Sequence, residues 1–221
     1  MKERIDNLLE NNRNLELNQL LNVDKHSITH VLLVRVVNSN TLSVLSNIHP
    51  HLKMFNYGDS VLVLLQDNQS LEDFYDRINN YDYYVGVIKY KDNLVKSVKQ
   101  AIKNLKIALF TQKRIVSKTD NTYLNVLVSS YHEKDYQEYM SSYFDVFIHD
   151  QEMVDTVLSF VQNNGDYKLC GKKLFCHENT IRYRIAKIKS MVAESVSDFE
   201  FYHNLSLAVN IYLLNKQTYT I

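Results

Sequence analysis

Along the chain the pattern of apolar and polar positions changes texture twice. Residues 2–21 carry Ile5, Leu8, Leu9, Leu15, Leu17, Leu20 and Leu21 at loosely helical spacing, with Asn and charged residues between them, which predicts one or two helices. The spacing is too short and irregular for a coiled-coil seam, so this segment is expected to dock on the chain's own core. From Val31 the texture becomes β-branched. VLLVRVV (Val31 to Val37) has strand length and composition, and a second apolar run, VLVLL (Val61 to Leu65), follows the turn-like Asn56-Tyr57-Gly58-Asp59. HLKMF (His51 to Phe55) is placed to pair with VLVLL as a hairpin. A helical pattern over Leu71 to Ile78 leads to YYVGVI (Tyr83 to Ile88) and then to a long amphipathic helix with the stripe Leu94, Val98, Ala101, Ile102, Leu105 and Leu109. KRIVSK (Lys113 to Lys118) reads as a closing edge strand.

After Asp120 the strand signal ends and everything from Tyr123 to Leu214 reads as helix. Leu124, Leu127 and Val128 form one apolar group, Tyr136, Tyr139, Met140 and Tyr143 a second, and Met153, Val154, Val157, Leu158 and Val161 a third. The expected fold class is α+β: a helical segment over 1–24, an α+β sheet domain over 25–120, a helical connector over 121–150 and a helical domain over 151–221.

Composition narrows the function. With 4 Gly and 1 Pro in 221 residues, long flexible linkers are excluded and the joints must be short. The 25 basic and 25 acidic residues cancel, so an electrostatic case for a nucleic-acid partner has to be local. MKERIDNLLENN at the start has no apolar signal core, and no later run is long enough to span a bilayer, so a cytoplasmic protein with no membrane partner is expected. Cys170 and Cys176 lack CxxC spacing and partner ligands; they read as buried thiols. His49-Pro50-His51 has no third ligand at recognisable spacing, and His26 and His30 read as surface residues. The 16 tyrosines, many between Tyr123 and Tyr143, could offer a stacking surface for single strands, but their spacing fits helix packing. No Ser-His-Asp order or phosphate-cradling glycine loop is present. No metal, no cofactor and no enzymatic activity are expected.

The informative stretch is near the C-terminus. Asn163-Asn164-Gly165-Asp166 stops a helix, YKLCGKKLF (Tyr167 to Phe175) reads as a short second helix, and a third starts at His177. Two helices joined by a tight turn, with the small Gly171 at their crossing, is the helix-turn-helix plan. On a helical wheel Ile181, Ile185 and Ile188 face the core. The opposite side presents Asn179, Thr180, Tyr183 and Lys187, with Arg182 and Arg184 flanking the apolar stripe. Asp166 to Met191 holds seven lysines and arginines against two acids, a basic patch hidden in the neutral total. Asn179, Thr180, Arg182 and Tyr183 are expected to meet bases or the groove wall. Arg184, Lys187 and the second-helix lysines Lys168, Lys172 and Lys173 are expected to hold phosphates, with His177 and Glu178 at the leading end.

Met153 to Leu214 resembles the C-terminal DNA-binding domain of PucR/CdaR-type transcriptional regulators. Their recognition helix typically opens His-Arg-Asn-Thr, an aliphatic residue and Arg-Tyr-Arg; this chain has His177-Glu178-Asn179-Thr180-Ile181-Arg182-Tyr183-Arg184-Ile185. NLSLAVNIYLL (Asn204 to Leu214) resembles the closing helix of the same domain. Glu178 stands where the family carries Arg, exchanging a cation that attracts phosphate for an anion. The family's Thr-Ala pair in the second helix is Cys170-Gly171. Upstream, the resemblance implies a degenerate GGDEF-like domain: Tyr57-Gly58-Asp59-Ser60-Val61 sits on the expected hairpin, without the second glycine and the paired acids that a diguanylate cyclase uses to hold Mg²⁺ and nucleotide.

The resemblance implies double-stranded DNA as partner and a homodimer. Only about thirty residues precede Val31, too few for a separate sensing domain, so an unidentified small-molecule effector would act on a pocket in the degenerate domain or through a partner. Two rival readings remain: a family member that has lost DNA binding through Glu178 and works by pairing with another regulator, and a nucleotide sensor derived from the cyclase fold.

Overall fold

The computed structural model describes residues 1–117, 122–130, 134–192 and 196–218. It forms two compact units, one of Met1–Ser129 together with residues 216–218 and one of Ser130–Asn215. The expected boundary near Asp120, and Lys118 of the expected edge strand, lie outside the described residues.

In the first unit, helices α1 (Lys2–Glu10) and α2 (Asn14–Leu20) precede strand β1 (Ile28–Val36). Helix α3 (Thr41–Ile48), the hairpin β2 (Lys53–Tyr57) and β3 (Ser60–Gln66), helix α4 (Leu71–Ile78), strand β4 (Tyr83–Lys89), helix α5 (Leu94–Thr111) and the two-residue strand β5 (Ile115–Val116) follow. The sheet order is β2-β3-β1-β4-β5; all neighbours are antiparallel except β4 and β5, joined in parallel across α5. From β1 to β4 this is the split β-α-β-β-α-β arrangement.

Alternation along the central strands buries both faces. Val31, Leu33, Leu62 and Leu64 point to one side, where Ile5, Leu9, Leu17 and Leu21 of the leading segment join Leu94, Val98, Ala101 and Leu105 of α5. Leu32, Val34, Val61, Val63 and Leu65 point to the other, against Leu45 of α3 and Phe74 and Ile78 of α4. A strand buried on both faces reads as an unbroken apolar run, and VLVLL does so. The leading segment also closes a helix end: Asn14 Oδ1 accepts from the N–H groups of Leu94 and Val95, while Asn93 caps Lys96.

Three features differ from expectation. No helix is expected between β1 and the hairpin, yet α3 packs Leu45, with Leu42, Val44 and Ile48, into the core, and it starts where Asn40 is extended and its side chain accepts from Ser43 N–H. β1 begins at Ile28, ahead of the β-branched run. The edge strand pairs only through Ile115 and Val116. Beside it, buried Asn104 donates to the carbonyls of Val87 and Ser117, fastening α5 to the sheet edge.

Helix α6 (Thr122–Ser130) lies at the end of this unit, where Lys103 Nζ donates to Ser129 Oγ at 2.7 Å. The second unit is helical: α7 (Lys134–Phe144), α8 (Gln151–Gln162), α9 (Tyr167–Lys173), α10 (Glu178–Val192) and α11 (Asp198–Thr218). Phe144, Val157, Phe201, Leu205 and Val209 lie at its core. Among the described residues no helix is long and apolar enough to cross a membrane.

The tightest joint in the sheet unit is Gly86 of β4. A Cβ built there would stand 2.2 Å from Ala101 O and 2.2 Å from Leu105 N, both α5 backbone. Backbone on both sides cannot rotate away, so Gly86→Ala should destabilise the unit by about 3 kcal/mol. Urea denaturation checks this; an unchanged midpoint would contradict the close packing.

Candidate nucleic-acid interface

The site is built by local signals that stop one helix and start the next. Helix α8 ends where Asn164 and Gly165 adopt left-handed backbone (φ 53° and 79°), and Gly165 N–H bonds back to Phe160 O at 2.9 Å. Asp166 then starts α9, its Oδ1 accepting from Lys168 and Leu169 N–H, each at 2.9 Å. After α9 the chain turns at Leu174 and Phe175, and His177 leads into α10, its Nδ1 accepting from Asn179 N–H at 3.2 Å.

Gly171 sets the separation of the two helices. A Cβ there would meet Cys176 O at 2.7 Å and Glu178 N at 3.2 Å. Helix α9 therefore lies directly against the start of α10, at a spacing where a Cβ would force the turn to shift.

Ile181, Ile185 and Ile188 are buried, together with Cys170 of α9, and this stripe fixes which side of α10 faces out. Asn179, Arg182, Tyr183 and Lys187 are exposed on α10, as are Lys168, Lys172 and Lys173 on α9 and His177 before α10. Tyr183 is 68% exposed. Thr180 and Glu178 are half-buried, with Glu178 in the first turn of α10, where the N-terminal dipole favours an anion.

Arg184 stands apart from this group. Its guanidinium pairs with Glu152 of α8 and donates to Thr156 Oγ1, leaving the side chain 18% exposed. The sequence assigned it to a phosphate; the structure turns it onto the flank of α8.

Arg182 is exposed yet held. Its guanidinium lies over the Tyr167 ring, 4.3 Å from the centroid, a distance at which cation and ring attract. Tyr167 in turn shares a hydrogen bond with the Tyr202 hydroxyl at 3.1 Å. Burial, then this bond, pushes the Tyr167 hydroxyl up to about 12.

One feature escaped the sequence reading. Phe175, expected to end the second helix, lies in the turn with φ 54° and is 97% exposed. It lines a surface groove with Lys168, Lys172, His177 and Glu178. An aromatic after two lysines reads as the apolar end of a helix, and neither Asn nor Gly marks the left-handed turn.

Among the described residues no cluster of three or more His, Cys, Asp or Glu is placed to hold a metal. On the sheet unit, Gly58 takes the left-handed turn of the hairpin (φ 64°), and exposed Asp59 makes a loose ion pair with Arg35 at 3.8 Å.

A short helix crossing the start of a longer one, with an exposed basic and amide-bearing face on the second, defines a helix-turn-helix domain. Residues 153–211 match the family described as the PucR C-terminal helix-turn-helix domain. Among solved structures, the regulator of polyketide synthase expression from Bifidobacterium adolescentis aligns with 16% identity and a TM-score of 0.40, covering 96% of this chain and 91% of that one. No curated protein matches the chain.

Because Gly171 has no room for a Cβ, Gly171→Ala should push the first turn of α10 outward. The expected cost is about 1–3 kcal/mol of stability in this unit. Thermal unfolding followed by circular dichroism checks it; full retention of the melting temperature would show that the turn can yield.

Proposed function

We propose that the chain is a cytoplasmic, sequence-specific transcriptional regulator that binds duplex DNA through α10 as a homodimer. The observation that carries this reading is the outward face of α10. Asn179, Arg182, Tyr183 and Lys187 stand exposed opposite a buried isoleucine stripe, beside the lysines of α9. Asn offers a bidentate edge to adenine, and Arg to guanine. Asn179, Thr180, Arg182 and Tyr183 meet base edges or the groove wall, while Lys168, Lys172, Lys173 and Lys187 hold phosphates. Arg184 braces α10 against α8 instead. His177 caps the helix, and Phe175 contributes apolar contact with sugars or thymine methyl groups. Two such heads in a homodimer would read half-sites one helical turn apart. The GGDEF-like sheet unit serves regulation rather than catalysis, because the hairpin offers Asp59 without a paired acid.

Fluorescence anisotropy against a duplex selected from random sequence tests the reading. Arg182→Ala should weaken binding by about 1–3 kcal/mol and relax preference at one base position. Lys187→Ala should weaken all sequences alike and reduce the slope of log K against log salt by about one unit. Binding that neither change alters would remove the assignment.

Glu178 favours a second reading, in which the head no longer binds DNA and the chain pairs with another regulator. The two separate on one variant. If α10 enters the groove, Glu178→Arg should raise affinity and steepen the salt slope by about one unit. If the wild-type chain gives no shift at low salt and Glu178→Arg restores one, the interaction reading stands.

A further inference from the structure

A pocket of about 700 Å³ opens in the sheet unit where β1 runs out into α3, within the size range of small-molecule sites. Ser60, at the start of β3, lines it. The Ser60 hydroxyl is fully buried and has no hydrogen-bond partner among the described residues. A buried hydroxyl left unpaired costs stability, and one on a pocket wall has bonding capacity to offer whatever fills the pocket.

The neighbouring groups show what the pocket would accept. The N-terminus of the eight-residue helix α3 lines it at Thr41 and Leu42; the first N–H groups of a helix lack intrahelical acceptors and favour an anion. The Thr41 hydroxyl is already committed, accepting from Val36 N–H and donating to Asp59 O, each at 3.0 Å. Asn40 Oδ1 is committed to Ser43 N–H. Arg35 adds a cation, already loosely paired with Asp59 at 3.8 Å, and Asp59 and Asp82 add two carboxylates. A polyphosphate would meet two carboxylates for one guanidinium, and a plain cation would meet Arg35. A ligand with both charges a few ångströms apart suits the set.

We propose that this pocket binds a small zwitterion of the α-amino-acid class. Its carboxylate is received by Arg35, the Ser60 hydroxyl and the α3 N-terminus, and its ammonium by Asp59 and Asp82. This inference does not depend on what α10 binds.

Calorimetry of the full chain against each of the twenty common amino acids tests it, with GTP and inorganic phosphate as separate arms. At least one amino acid should bind with one-to-one stoichiometry, at least tenfold more weakly to Arg35→Gln and Ser60→Ala. Ser60→Ala, which removes an unpaired buried hydroxyl, should melt about 2 °C higher than the parent without ligand. Asp82→Asn changes an exposed side chain, leaves the core alone, and should also weaken binding at least tenfold. Binding of GTP or phosphate in place of amino acids, no amino-acid binding at about 10 mM, or full affinity in Ser60→Ala and Asp82→Asn would each overturn the proposal.

Discussion

Burial of one stripe on α10 governs the C-terminal unit. Ile181, Ile185 and Ile188 can be removed from water together only if the helix lies in one rotation about its axis. A fully buried isoleucine contributes roughly 1.5–3 kcal/mol relative to exposure, so three of them outweigh any preference of the polar side for another orientation. The composition of the exposed face follows from that rotation. Gly171 then fixes depth: with no Cβ between α9 and the turn, the start of α10 is held at backbone distance from its neighbour.

The sheet unit is governed by the same kind of constraint in another geometry. Its central strands alternate between two covered faces, and the leading segment completes one of them, with Ile5 and Leu17 fully buried. Those helices are structural parts of the sheet unit, and Asn14 makes this explicit by capping α5. The polar groups left over at the end of β1 are the ones that the packing does not consume.

Much of this was legible in the sequence because it is carried by periodicity. The hairpin, α4, β4 and α5 are marked by apolar spacing and by the turn at Gly58. The three isoleucines likewise identify the buried side of α10. Helix α3 was not legible, since its cap, Asn40, leads only eight residues, too few for the spacing of Leu42, Leu45 and Ile48 to stand out from a loop. Arg184 shows a different limit. A wheel places it at the flank of the exposed face, but its long side chain reaches Glu152 on α8, and no pattern within α10 records that partner. Phe175 is concealed for a related reason: its neighbours look helical, and its left-handed backbone occurs without the Asn or Gly that would mark it.

The stack of Arg182 on Tyr167 bears on how fast and how faithfully a surface can recognise. A free arginine side chain carries about 2 kcal/mol of rotamer entropy that an encounter must remove. Here the guanidinium is already parked on a ring, and that ring is tethered to Tyr202 of α11. Much of the ordering is therefore complete before any partner arrives. A pre-set probe of this kind gives up adaptability: it rewards a partner whose shape already fits and gains little from one that requires the arginine to swing elsewhere.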